Sequence, residues 1–451
     1  MFGSRLIRIL AVASSLLLTE GRAEEQSDLA RSLPKRVILD TDPSSDPDDV
    51  GCMAMLHTMA SRGECEILAV INSIHHKEGS LSISAIDEFY RRPAIPVGDY
   101  KAYDHVDAPD DLYSHMLANE YPHRLMSHKD ALDSVVLYRE ILASAEPKSI
   151  TIVVIGTMHN LSALLESGPC KFSELNGKDL VEKSVLQVVT MGGNFIDGKG
   201  HDRTNWGGAD ALCEYTEWSC LNKERNEMCR FVIENCKAPF VASGWEVGCG
   251  NYHNAKRGNV MTGQELKQLE KDHIVRRSYE YHFSSRGGEE KIDRHSNDQC
   301  ALLFAIRGAG QNFNAYLDGK IKLTAVGECS WTQAKNGRQG YIEKRRDKQL
   351  IADEIEELML GARPEIDATA PTAPSNLVQE FSRGVQRLKW SAATDPDTGS
   401  WVVGYRVYAN GKLLGTAYGT QFILGSDASA QSKLEVRSIN ASGLESESIR
   451  P

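Results

Sequence analysis

The chain has 451 residues, of which 41% are hydrophobic and 25% charged, with a formal net charge of -11. That length exceeds one small core and predicts two or three domains. An acidic chain with no basic cluster excludes the electrostatic footprint of nucleic-acid and anionic-membrane binders.

Residues 1–23 read as a signal peptide. Arg5 and Arg8 give a basic start, and Ile9 to Leu18 is an apolar run too short to span a bilayer. Gly21-Arg22-Ala23 supplies small residues at the two positions a signal peptidase reads. The alternative is a short N-terminal anchor, and no later run is long enough to span. The expected location is therefore outside the cytoplasm, secreted or periplasmic. The ten cysteines have no CxxC spacing, so they read as disulfides or buried thiols rather than a zinc knuckle, with pairing left open.

After a polar lead-in, 24–34, strands and helices alternate. Strand Arg36–Asp40 precedes helix Asp48–Ser61. Strand Glu66–Asn72 precedes a helix near Leu81–Arg92, and Ile95–Val97 is a short third strand. Residues 100–129 have little periodicity and read as a long loop, a frequent lid; their histidines, without ligand-like spacing, read as mobile surface. Helix Ala131–Ala145, strand Ser149–Ile155, helix His159–Leu165 and strand Val185–Thr190 follow. A loop-rich stretch, 194–216, leads to helix Lys223–Asn235 and strand Phe240–Ala242. Helices Gly263–Phe283 and Asp298–Arg307, strand Leu323–Val326 and a helix around Arg346–Leu360 complete the series. This alternation predicts an α/β domain with a doubly wound, mostly parallel sheet over 35–360.

Residues 361–373 are a Pro/Ala/Thr linker. Beyond it, Leu388 and Trp390, then Val403, Tyr405 and Val407, then Leu434 and Val436 alternate inward, and Asn410-Gly411 is a hairpin turn. Residues 374–451 therefore read as an all-β sandwich. Its Leu-Lys-Trp, Gly-Tyr-Arg-Val-Tyr and Ile-Asn-Ala-Ser-Gly segments resemble a fibronectin type III module, a spacer or a unit for cell-surface or matrix contact.

The chemistry concentrates where the first strand ends. Asp40, Asp42, Asp46, Asp48 and Asp49 crowd one loop and repel each other unless a cation neutralises them. Loops at the carboxyl ends of parallel strands are also where ligands bind in open α/β sheets. Strand Ser149–Ile155 ends in a Gly156 turn with free carbonyls, strand Val185–Thr190 ends at Gly192-Gly193-Asn194, and Asp298 starts a late helix. Carboxylates from the first and last loops plus a carbonyl suit Ca²⁺.

Together, Leu39-Asp40-Thr41-Asp42-Pro43 with Asp48-Asp49, Ile155-Gly156-Thr157-Met158-His159-Asn160-Leu161, Met191-Gly192-Gly193, Thr216-Glu217-Trp218 and Asp298 resemble the inosine/uridine-preferring nucleoside hydrolases. The resemblance implies a calcium-dependent N-glycosidase of purine or pyrimidine salvage, acting on a small nucleoside. It implies that Asp42, Asp49, Asp298 and the Ile155 carbonyl hold the metal and that Asp42 is the general base. Asp48 would bind the 2′- and 3′-hydroxyls, Glu217 and Asn194 the 5′ side, and Asp40 would orient the loop from behind. His295 is a candidate leaving-group acid. The departures are Ser44 in place of Gly, a loop two residues longer, His75-His76 in place of a sugar-binding Asn, Ser219 in place of Asn, and Asn297 before the last Asp. Asp46, in the extension, has no role. A homo-oligomer is compatible with the sequence.

Three other readings compete with this one. An EF-hand needs Gly and Glu where Ser45 and Gly51 stand. A haloacid-dehalogenase-like phosphatase would use Asp40 as nucleophile, but needs Thr or Val where Ser44 stands. A non-catalytic sugar-binding protein on the same scaffold is the third.

Overall fold

The computed structural model describes residues 33–44, 46–102, 104–196, 199–201, 205–207, 218–250, 258–285, 287–288, 291–382, 385–425 and 432–451, without the side chains of 199–201, 218–222, 382 and 385. In chain order the strands are β1 (Lys35–Thr41), β2 (Cys65–Asn72), β3 (Val97–Asp99), β4 (Leu132–Asp133), β5 (Ile150–Val154), β6 (Val185–Met191), β7 (Lys199–His201), β8 (Phe240–Ser243), β9 (Met261–Thr262), β10 (Arg294–His295), β11 (Phe313–Leu323), β12 (Glu328–Gln333) and β13 (Gln339–Lys344). The helices are α1 (Asp48–Ser61), α2 (Lys77–Phe89), α3 (Tyr113–Glu120), α4 (Ser134–Ser144), α5 (His159–Glu166), α6 (Gly177–Ser184), α7 (Trp218–Asn235), α8 (Trp245–Gly248), α9 (Ile274–Ser284), α10 (Asn297–Arg307) and α11 (Lys348–Met359).

Eleven strands form one sheet in the order β4-β3-β2-β1-β5-β6-β8-β13-β11-β12-β7. Pairing is parallel from β4 to β13 and antiparallel through β11, β12 and β7. Val37, Ile38 and Leu39 are fully buried because β1 is central and covered on both faces. Val37 and Leu39 join the core beneath α1, α9, α10 and α11, while Ile38 joins the core beneath α4, α5 and α6. Strand periodicity thus sends neighbouring residues to opposite layers. The chain runs outward from β1 to β4 and returns at β5, beside β1 again. That reversal is a topological switch point, where the strand-end loops part into a crevice.

The expected long helix over 263–283 is instead a 3₁₀ turn, Gln264–Gln268, followed by α9. Of the expected strand 323–326 only Leu323 is strand, the last residue of the longer β11, and 324–327 turn into β12. Most of β11 is exposed on alternating residues, so it carries no apolar run to mark it. The stretch 100–129 is not a bare loop. It contains α3, whose Tyr113, Met116 and Leu117 are buried. The side chain of His105 is covered as well, with Nε2 3.2 Å from Asp99 Oδ1, and its ring stacks on that of His128.

At the C-terminal end, β14 (Ser375–Ser382), β15 (Val385–Ser391) and β18 (Gln421–Ile423) form one three-stranded sheet. β16 (Val402–Ala409), β17 (Lys412–Ala417) and β19 (Leu434–Asn440) form another. Leu388, Trp390, Tyr405, Val407, Leu434 and Val436 fill a core of their own, as expected. Asn410 and Gly411 both have positive φ, 51° and 79°, the backbone a type I′ hairpin requires. Val403 departs from expectation. With Trp401, Ile439 and Ala441 it joins the core of the α/β body. Trp401 Nε1 donates to the Ile67 carbonyl at 2.9 Å, near the break in β1–β2 register, and Arg92 lies over the Trp401 ring, 5.1 Å from its centre. Lys35–Pro451 accordingly form one unit. Cys52, Cys65, Cys170, Cys236, Cys249 and Cys300 are thiols, all buried except Cys170.

Candidate active site

The switch-point crevice holds the acidic loop. Asp42, Ser44, Asp46, Asp48 and Asp49 line it from the β1–α1 connection, Ile74 from the end of β2, and Ile155 from the end of β5. Met191, Asn205, Trp245, Arg294, Asn297 and Asp298 complete the wall. A larger cavity of about 650 Å³ lies between the body and the sandwich near Trp390, Tyr405 and Tyr418; Asp395 on its wall groups with Asp367 and Asp397, but none of these three is buried.

Helix starts place the key acids. Asp48 and Asp49 open α1, and Asp298 lies in the first turn of α10, so the positive ends of both helix dipoles face the crevice. Oxygens of Asp48, Asp49 and Asp298 all lie within 4.8 Å of one another, and all three residues are buried. Thr41 Oγ1 donates to Asp49 Oδ1 at 2.5 Å and the Asp42 amide donates to the same oxygen at 3.2 Å. The backbone makes room for Asp42. A Cβ on Gly156 would stand 2.8 Å from Asp42 Oδ1 and closer still to Ser73 Oγ.

Such crowding shifts every acid upward. Burial pushes Asp42 to about 6, with Arg225 opposing and Asp46 adding to the rise. Burial pushes Asp48 to about 7, with Asp46 adding and Arg294 opposing. Asp49 and Asp298 rise well above the usual range through burial and then mutual repulsion. Several buried carboxylates beside a backbone carbonyl are the donor set of a hard divalent cation.

Asp40 is fully buried behind the loop, taking donors from Tyr138 Oη at 3.1 Å and Asn160 Nδ2 at 3.0 Å. Burial pushes it to about 8. A carboxyl so enclosed is not presented to a substrate phosphate, which removes the phosphatase reading. The Ile155 carbonyl is not free as expected, because Asn205 Nδ2 donates to it at 2.5 Å. One of its two lone pairs is left. Ser44 Oγ and His76 Nδ1 are 3.0 Å apart, so His76 braces the loop. Asn297 lines the crevice and is buried.

Two anticipated residues, Asn194 and His295, are not brought into the crevice. Glu217 and the side chain of Ser219 lie outside the described residues. Asn194 is half-buried but does not line the crevice. Nor does His295, whose ring lies 6.3 Å from that of Trp245. Burial, then the neighbouring Arg294, lowers its pKa. Sequence reading gave no role to Asn205 or Arg294. Asn205 sits in an aperiodic loop that offers no signal. Arg294 had one: an unexplained acid, Asp46, required a cation, and its Oδ2 is 2.7 Å from Arg294 Nη2.

No protein-family model matches this sequence, and no curated protein matches it. Solved structures do. A plant nucleoside hydrolase superposes with a TM-score of 0.51 at 17% identity, over 73% of this chain and 100% of its own. The chain has the nucleoside hydrolase fold. A purine-preferring ribonucleoside hydrolase from Gardnerella vaginalis matches at 0.50 and 14% identity, over 73% and 100% of the two chains. An inosine-guanosine nucleoside hydrolase matches at 0.50 and 16%, over 73% and 99%.

Proposed function

We propose that this chain is an exported, calcium-dependent N-glycosidase that hydrolyses ribonucleosides, or related N-ribosides, to free base and ribose. The observation that carries the reading is the meeting of Asp48, Asp49 and Asp298 beside Asp42 and Ile155 at the switch point of a nucleoside hydrolase fold.

Asp42, Asp49, Asp298 and the remaining lone pair of the Ile155 carbonyl would hold the cation, with Asp48 in reach of the same centre. When bound, calcium supplies positive charge that acidifies water and steadies substrate hydroxyls. The rest is done by side chains. Asp42 accepts a proton from the attacking water. Asp48 accepts hydrogen bonds from the sugar 2′- and 3′-hydroxyls. As the C1′–N bond lengthens, positive charge grows on the sugar ring, and the anionic wall stabilises it. Asp40 orients the loop. Glu217 and Asn194 belong to the 5′ side by resemblance alone.

Within this reading, residues 1–23 are the signal peptide, 24–34 a lead-in, 35–360 the catalytic domain, 361–373 a linker and 374–451 a fibronectin type III module. The test is reducing-sugar release from purine and pyrimidine ribosides by purified protein, with calcium and with chelator. Calcium-dependent release is expected. Binding of ribosides without any turnover would overturn the enzyme reading in favour of a sugar-binding protein.

A further inference from the structure

The hydrolytic scheme leaves one ion pair of the crevice, Arg294 with Asp46, unused. Among the described residues lining the crevice, Arg294 is the sole cation. The residue sits on β10, and β10 pairs with β9 through Arg294 and Thr262, so its backbone is fixed. Its Nη2 is 2.7 Å from Asp46 Oδ2. Its Nε is buried with no hydrogen-bond partner. A guanidinium has five N–H donors, so this pairing leaves most of its fork available. Trp245 adds a flat apolar surface to the same wall.

Heterolysis creates charge at both ends of the breaking bond. The carboxylates favour the positive sugar, but they oppose a base leaving as an anion among them. Something on the base side must donate. His295 does not line the crevice, and Asn205 already spends its amide on backbone carbonyls.

Resting on the N-glycosidase reading, we infer that Arg294 is the leaving-group residue: its free N–H donors bond to the departing base, and Asp46 is the positioning residue that aims it. The bonding pair of C1′–N goes to the base nitrogen. The hydroxyl of water bonds C1′, the water's other proton goes to Asp42, and the base takes one proton from solvent. Arg294 stays protonated throughout.

The experiment compares inosine and uridine, whose bases leave poorly, with p-nitrophenyl riboside, whose phenolate leaves unaided. In Arg294→Met, kcat on the nucleosides should fall about 100-fold or more, the scale of losing one charge-stabilising donor. The ratio of kcat on p-nitrophenyl riboside to kcat on inosine should rise by a similar factor. Arg294→Lys should recover part of the nucleoside rate. Asp46→Asn should lower kcat on nucleosides more than it changes KM. Should Arg294→Met fail to fold, the lysine and Asp46 variants carry the same ratio test. Equal losses on both substrate types in folded variants, or no loss on either, would overturn the assignment while leaving the N-glycosidase reading standing. If the wild type cleaves neither substrate, that reading falls first.

Discussion

Arg294 Nη2 stands 2.7 Å from Asp46 Oδ2, tying the loop after β1 to the short strand that leads into α10. The two ends of the candidate site, more than two hundred residues apart, are thereby clamped across the crevice. Asp46 is half-exposed on its side chain and Arg294 less so. The loop extension thus brings a charge that has an ion-pair partner, whereas Asp48, Asp49 and Asp298 face one another and, among the described residues, form no ion pair.

Replacing Asp49 or Asp298 by Ala should remove the cation. Calcium titration of chelator-treated protein by calorimetry should show one site in the wild type. The variants should bind more than about 100-fold weaker, beyond the loss typical of removing a residue that only supports a ligand. Asp42→Asn should leave folding intact and abolish riboside hydrolysis. Hydrolysis at the wild-type rate in any of the three would refute the site assignment.

The buried acids give the metal-free protein a specific pH profile. Asp40, Asp42 and Asp48 have folded pKa values of about 8, 6 and 7 against an ordinary 3.8. The folded state therefore binds more protons than the unfolded state in between, and stability falls as pH rises. Their contribution is full below about 3.8 and lost as pH climbs through about 6 to 8. Melting temperature in chelator should drop between pH 5 and pH 8.5, and calcium should restore it most at the alkaline end. A flat or rising profile in chelator would contradict the buried-acid description.

Gly156→Ala should act on Asp42 rather than on the fold. The added methyl would meet Asp42 Oδ1 at 2.8 Å and push the carboxylate off its position. An ångström of misplacement costs up to about 100-fold in rate, so kcat should fall at least tenfold with a change of no more than a few degrees in Tm. Unchanged kinetics would mean that Asp42 does not work from this position.

The sandwich is anchored in the core of the body through Trp401. Trp401→Ala would vacate a nearly closed site, remove the bond to the Ile67 carbonyl and strip the face on which Arg92 lies. Denaturant unfolding should show a loss of about 3–5 kcal/mol. A loss below about 1 kcal/mol, the usual surface value, would show the contact to be dispensable.

Much of the fold was legible in short-range pattern. The apolar run Val37–Leu39 ending at Asp40, the helix beginning at Asp48 and the Asn410-Gly411 turn were all written in local sequence, because buried parallel strands, helix starts and primed turns each demand particular residue types. The eight-residue helices α3 and α6 were not, since short helices owe their stability to what they pack against, whereas α5, of equal length, was marked by the glycine turn that opens it. The sequence by itself determined that a dense acidic loop follows a buried strand and that a lone late Asp opens a helix. It could not say which acids share one centre, since that depends on the reversal of strand order between β1 and β5, a matter of which strands pair. Only the tertiary structure set Asp48, Asp49 and Asp298 within 4.8 Å, left His295 outside the crevice and gave Asp46 its partner. Charges interact through space, and the chain separation between Asp46 and Arg294 carries no trace of the distance between them.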